Sequence, residues 1–292
     1  MSSDGGLLNN EPTIEISGLR VPRVIYGTAW KEEATEQLVA TALAQGFRGF
    51  DTANQRKHYF EAGVGAALGA AIRSGQVRRE DLFIQTKFTY RRGQDHRLPY
   101  DENAPVATQV EQSFAKSLEH LQTDYVDSYV LHGPWAGQRL HPKDWQVWRR
   151  MEAIQKQGGA RLLGVSNFSL EQLRLLCARA EVKPRFIQNR CYASRLWDKD
   201  IRAFCNDEGI RYQGFSLLTA NKSLVENAGF RKLAGGHGKT PQQTVFRFAL
   251  DVGMIALTGT TDAAHMSQDL DIFDFNLSEE EVRSVENAAR PS

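Results

Sequence analysis

The segment GFRGFDTANQRKHYFEAG (46–63) ends a short apolar run on Asp51 and then offers two proton donors in succession, His58 and Tyr59. Two further apolar runs also close on ionisable residues, LFIQTK (82–87) on Lys87 and DSYVLH (127–132) on His132. These residue types have a joint chemical logic. A phenol with an ordinary pKa of about 10 donates poorly at neutral pH, and a neighbouring ammonium favours the phenolate and lowers that value. Asp51 would hold Lys87 charged and in place, while a neutral His132 orients a carbonyl oxygen or shares the proton relay. The set suits reduction of a carbonyl, with hydride from a bound cofactor and the proton from a tyrosine. A histidine beside the lysine would instead lose its proton to like-charge repulsion. Tyr59 is therefore expected to be the acid, and His58 a pocket wall or solvent-facing loop residue.

Residues this far apart in sequence act together only if the fold gathers the ends of their strands. Short apolar runs recur at 24–28, 48–51, 82–87, 127–132, 161–166, 185–189, 211–216 and 254–259, separated by helical patterns such as EEATEQLVATALAQG, ATQVEQSFAKSLEHL and TPQQTVFRFALDVG. Ser, Thr or Asp starts several of these helices, and Gly or Asn ends them. Eight strand–helix units predict an α/β fold of the (β/α)8 TIM barrel type, in which active-site groups sit at the carboxyl ends of the strands. A doubly wound sheet is the alternative that alternation alone permits. TIEISGLRVPR reads as an N-terminal β-hairpin. Residues 1–12 are expected to form a disordered polar tail, and 13–292 a single barrel domain, because no linker rich in Pro, Gly or Ser interrupts the pattern. GVGAALG (63–69) fails as a dinucleotide fingerprint: its third glycine falls one place late and no strand leads into it. It reads as a small-residue helix packed on the sheet.

The chain has 292 residues, 41% of them hydrophobic, and a formal net charge of +1. Nothing in that balance asks for nucleic acid or a membrane surface. Three cysteines without CxxC spacing suggest neither disulfides nor a thiolate metal site. The N-terminus lacks a secretory pattern, so a cytoplasmic protein with no metal is expected. No heptad points to an obligate assembly, and a monomer is expected. The basic cluster TYRRGQDHRLPYDEN (89–103) reads either as a solvated loop or as a receiver for an anionic substrate.

The motifs GFRGFDTA with EAGVG, FIQTKF, TDYVDSYVLHGP, LLGVSNFS, FIQNRC, YQGFSLL and GKTPQQTVFRFAL, in this order, give the chain a resemblance to the aldo-keto reductases from about residue 13 to the C-terminus. The resemblance implies a barrel closed at its base by the hairpin, a nicotinamide cofactor bound extended, and the catalytic set Asp51, Tyr59, Lys87 and His132. It implies a cofactor path along Gly27, Thr28 and Asp51, with Ser166, Asn167 and Gln188 on the carboxamide. Phe215 would stack in place of the usual tyrosine, and Ser216 and Leu218 would lie along the pyrophosphate. Gly259, Thr260 and His265 stand where the family commonly carries a lysine, a serine and an arginine for the 2′-phosphate of NADPH. NADPH is the first expectation from the resemblance, with NADH or dual use the alternative. Trp30, His58 and Trp135 are the expected substrate-pocket residues, for a small-molecule carbonyl. The chain stops soon after its last helix, which suggests an open, permissive pocket. The opening turn departs from the family: counting forward from Asp51 at the family's spacing lands on Arg56, and counting back from Glu61 lands on His58, so the turn carries an insertion. Two other readings remain open at this point. One is a cofactor-binding redox sensor or regulatory subunit with little turnover; the other is a barrel lyase or isomerase using Lys87 as a Schiff base.

Overall fold

The computed structural model describes residues 10–137 and 139–288. Strands β1 (Thr13–Ile16) and β2 (Leu19–Pro22) pair antiparallel through a tight turn at Ser17 and Gly18, both with positive φ. Eight parallel strands follow: β3 (Val24–Gly27), β4 (Gly49–Asp51), β5 (Phe83–Phe88), β6 (Val126–Leu131), β7 (Ala160–Ser166), β8 (Phe186–Arg190), β9 (Arg211–Phe215) and β10 (Ile255–Thr258). Each pairs with the next, and β10 closes on β3 through Ala256↔Val24 and Thr258↔Tyr26. That closure makes the sheet a (β/α)8 barrel and removes the doubly wound alternative.

The hairpin seals the amino end. Ile16 and Val21 join Ile25, Phe83, Leu162, Phe186, Ile255 and Leu257 in one buried cluster, in which Phe83 and Phe186 meet edge to face at 5.8 Å. Each such side chain contributes about 1.5–3 kcal/mol by leaving water, so the base is a packed plug and the carboxyl ends remain free for chemistry. Residues 1–9 of the expected tail lie outside the described residues. Just beyond them the chain already touches the barrel: Arg23 donates its backbone N–H to the Pro12 carbonyl (2.9 Å), and Arg247 donates to Asn10 Oδ1 (3.2 Å).

The surrounding helices begin where local chemistry starts them. α1 (Thr35–Ala44) and α2 (Glu61–Arg73) follow β3 and β4, and α3 (Val106–Leu121) follows β5. α4 (Pro142–Lys156) and α5 (Leu170–Arg179) open on capping boxes, His141 with Asp144 and Ser169 with Gln172. Each box satisfies two otherwise unpaired N–H groups. The glycines of α2 serve a neighbour other than the sheet: a Cβ on Gly65 would lie 1.9 Å from the His120 carbonyl oxygen. The small-residue face of α2 thus admits the end of α3, while Val64, Ala67, Leu68 and Ala71 enter the core. The expected packing of this helix on the sheet thus holds on its Val64, Ala67, Leu68 and Ala71 face, where Tyr26, Phe50 and Ile84 of the strands share the cluster, and the glycines add a close contact with the next helix. No helix among the described residues is long and apolar enough to cross a membrane.

Candidate active site

Asp51 ends β4, Lys87 lies one residue before the end of β5, and His132 directly follows β6. Neighbouring register (Asp51↔Gln85, Lys87↔Val130) brings these carboxyl ends to one level. Lys87 Nζ donates to Asp51 Oδ1 and Oδ2, both at 2.7 Å, and to the Thr52 carbonyl at 2.8 Å. All three ammonium hydrogens are used within a fully buried pair. Burial lowers the Lys87 pKa and Asp51 opposes it. A Schiff base on Lys87 would first have to break this arrangement, which disfavours the lyase reading. Thr28, directly after β3, holds the Asp51 backbone: its N–H and hydroxyl both donate to the Asp51 carbonyl, at 3.0 and 2.9 Å.

The turn after β4 sends the two candidate donors to different places. The Gln55 carbonyl accepts from His58 N–H (3.2 Å) and Tyr59 N–H (3.0 Å), and the Gln55 side chain is tied to the Gly93 carbonyl. This folds the inserted residues into a compact turn that drives Tyr59 inward. Its ring lies 5.0 Å from Lys87 Nζ and meets the His132 ring edge-on at 5.8 Å. His58 turns to the rim, where its ring stands 3.9 Å from that of Trp30 and its carbonyl accepts from Trp30 N–H at 2.7 Å.

Electrostatics differ from the sequence expectation at one point. Burial and the Asp51 charge push the Tyr59 pKa above its ordinary value, where proximity to lysine predicted a fall. Burial is the larger cause, and Asp51, whose two oxygens both engage the Lys87 ammonium, adds to it. His132 follows expectation: burial, then Lys87 and His58, hold its pKa well below the usual histidine value. Its Nδ1 is 2.7 Å from Thr89 Oγ1, which leaves Nε2 for the cavity.

Above this floor opens a cavity of about 510 Å³, lined by Gly27, Trp30, Lys31, Asp51, Tyr59, His132, Ser166, Asn167, Gln188, Phe215 and the 216–219 and 257–261 segments. Its polar groups fit a primary carboxamide. Asn167 Nδ2 is spent on the His132 carbonyl (2.8 Å) and Ser166 Oγ (3.1 Å), and Gln188 Nε2 on Asp51 Oδ1 and Gln213 Oε1 (both 3.0 Å). Asn167 Oδ1 and Gln188 Oε1 accept no hydrogen bond among the described residues, so two acceptors stand available to an amide NH2. Non-glycine residues in left-handed backbone mark three of the strand-to-helix turns around the cavity, Trp30, Asn167 and Ser216. Such strain persists only where surrounding contacts enforce it.

Four expected cofactor or pocket residues do not line the cavity. Thr28, expected on the cofactor path, is fully buried behind the wall with its N–H and hydroxyl spent on Asp51. Trp135 is not part of this cavity's lining: the Gly133–Pro134 turn carries it onto Tyr90 (5.1 Å) and under the Lys143 ammonium (3.9 Å). His265 is exposed on the helix Ala263–Leu270, where its N–H caps onto Asp262 Oδ1. His58 flanks Trp30 at the rim without lining the cavity. The basic loop after Lys87 is engaged with its own neighbours, Arg91 on Glu102, Arg97 on Asp95 and Arg92 on the Pro134 carbonyl.

Sequence reasoning missed Lys31, Gln85 and Gln213. Lys31 is buried beside the cavity, donates to the Gly259 carbonyl at 2.7 Å, and has its pKa lowered by burial to about 8. The glutamines carried a readable signal: Gln85 is two residues before Lys87, and Gln213 two before Phe215, so in strands each shares its neighbour's inward face.

A closed parallel barrel with a buried carboxylate–lysine pair, a tyrosine, a neutral histidine and a carboxamide-shaped set of acceptors defines a barrel oxidoreductase. The chain belongs to the aldo/keto reductase family, whose model matches residues 24–290. It is 33% identical to the glyoxal reductase of Bacillus subtilis over 279 residues, 96% of this chain and 90% of that one. It is 31% identical to the methylglyoxal reductase DkgA of Yersinia pestis, over 94% of this chain and 92% of that one. Among solved structures, an aldo-keto reductase of Bombyx mori in complex with NADP superposes with a TM-score of 0.80 at 27% identity, covering 94% of this chain and 92% of that one.

Proposed function

We propose that this chain reduces small aldehydes and ketones to alcohols with NAD(P)H, and that Tyr59 delivers the proton. The observation that carries the reading is the placement of Tyr59 in the cavity wall between Lys87 and His132, with His58 turned to the rim. A bound reduced nicotinamide supplies the hydride. Asn167 and Gln188 would orient its carboxamide, with Ser166 bracing Asn167, and Phe215 would offer an aromatic face. Lys31 would present a cation to the phosphates. His132 Nε2 directs the substrate oxygen towards Tyr59, which stays protonated because burial and Asp51 hold its pKa up. An alkoxide is a stronger base than a phenolate, so the developing oxyanion still takes that proton downhill. Lys87 then faces the resulting phenolate.

The names of two relatives, a glyoxal and a methylglyoxal reductase, support small reactive carbonyls as the substrate class. At the far end of the cavity Gly259, Thr260 and Thr261 supply no cation, and Asp262 follows them. This supports use of both NADPH and NADH, with little discrimination between them. Loss of reduced-nicotinamide absorbance with glyoxal, methylglyoxal and an aromatic aldehyde is the test. A protein that binds the cofactor but oxidises it with none of a broad carbonyl panel is a sensor, and the proposal fails.

A further inference from the structure

Beneath the reacting groups the barrel interior holds three glutamine side chains. Gln85, Gln188 and Gln213 come from β5, β8 and β9 and are 0–3% exposed. Gln213 Oε1 accepts from Gln85 Nε2 (2.8 Å) and Gln188 Nε2 (3.0 Å), and Gln213 Nε2 donates to Gln85 Oε1 (3.1 Å). The second hydrogens of Gln85 and Gln188 both go to Asp51 Oδ1, at 2.7 and 3.0 Å. Asp51 Oδ1 thus receives two amides as well as Lys87.

We propose that Gln213 is a positioning residue that couples the cofactor-holding amide of Gln188 to the Asp51–Lys87 pair. The argument is one of donors and acceptors. An amide side chain is nearly isosteric end for end, so its orientation is set only by its partners. Asp51 accepts, and Gln213 Oε1 accepts. Gln188 must therefore aim Nε2 at both, which leaves Oε1 directed at the cavity as an acceptor. A reversed Gln188 would set its oxygen against two others in a dry interior, where such contacts are costly. Gln85 closes the ring, so the group that orients the cofactor and the group that steadies Lys87 share one hydrogen-bonded unit across four strands.

This inference rests on the proposed nicotinamide-dependent reading, and its test separates the two. The dissociation constant of NAD(P)H is measured by quenching of tryptophan fluorescence for wild type, Gln213→Leu and Gln213→Glu. Gln213→Leu is expected to weaken binding about tenfold, the effect of one lost orienting hydrogen bond. Gln213→Glu is expected to be pH-dependent. When protonated, its carboxyl reproduces the pattern, with the hydroxyl donating to Gln85 and the carbonyl oxygen accepting twice. When ionised, it loses the donor and places a second negative charge near Asp51, with Lys87, Tyr59 and His132 the ionisable groups around that carboxylate. The ratio of its dissociation constant to wild type should be near one in acid and rise with pH. A merely structural glutamine would not produce that crossing. If Gln213→Leu does not fold, the pH dependence of Gln213→Glu decides alone. A Leu variant that binds like wild type, or a Glu variant whose ratio is flat with pH, overturns the inference. A wild-type protein that binds no NAD(P)H sinks the underlying reading instead.

Discussion

The floor and the rim of the cavity are built on different principles. On the floor, Asp51, Lys87, Gln85, Gln188 and Gln213 stand on strands, are 0–3% exposed, and are locked to one another by bonds of 2.7–3.1 Å. Strand pairing sets their height and the period of two sets their direction. At the rim, Trp30 is 70% exposed with φ +62°, His58 leans on it, and the 259–265 segment presents a glycine, threonines and an aspartate. A buried ion pair stripped of one partner loses about 3–5 kcal/mol, whereas an exposed rim residue can change at small cost. The proposed chemistry is therefore placed where change is penalised, and the proposed recognition where it is not.

The sharpest way to break this contrast is at Tyr59. Tyr59→Phe should lower kcat by about 10²–10⁴-fold, the range of a lost general acid, and leave the NAD(P)H dissociation constant unchanged in a fluorescence titration. At the rim, Gly259→Lys tests how cofactor choice is set. A Cβ there would lie 3.5 Å from the Gly27 carbonyl and 3.9 Å from Lys31 Nζ, so the side chain has room. One added charge-assisted contact should raise the NADPH to NADH ratio of kcat/KM about tenfold. An unchanged ratio would remove the 2′ end of the cofactor from this loop.

Lys31 lies between the two regions and tests their boundary by stability. With its pKa lowered to about 8, the folded chain binds fewer protons than the unfolded chain between that value and an ordinary lysine pKa of about 10.4. Folding stability contributed by this group therefore rises with pH across that window. Lys31→Met removes the burial cost, and at neutral pH it should melt about 2 °C above wild type. The gap should narrow as the pH approaches 10, and a constant gap in differential scanning calorimetry would refute a titrating Lys31. The smallest effect belongs to His58: His58→Ala should change kcat by no more than about threefold, well short of a lost general acid. A loss matching that of Tyr59→Phe would move the acid to the histidine.

How much of this was legible follows the same division. Asp51, Lys87 and His132 could be read because a polar residue at the end of an apolar run has one natural place in a barrel. The glutamines were equally periodic, but a strand glutamine has no single expected partner, so their ring was not foreseen. Trp135 misled because nearness to His132 in sequence says nothing of where a Gly–Pro turn sends the chain. The rise in the Tyr59 pKa was hidden for a related reason: it comes first from burial, which only the folded chain creates, and then from the Asp51 charge that also engages Lys87.

The amino-acid order by itself determined the eightfold alternation, the helix caps and the residues at the strand ends, because these depend on local periodicity and on groups a few positions apart. Tertiary structure alone decided that Tyr59 faces the cavity and His58 does not, that Lys31 enters the cleft, and which way the Gln188 amide points. Those outcomes are set by partners that the chain brings together from distant strands, and no local pattern encodes which partner wins.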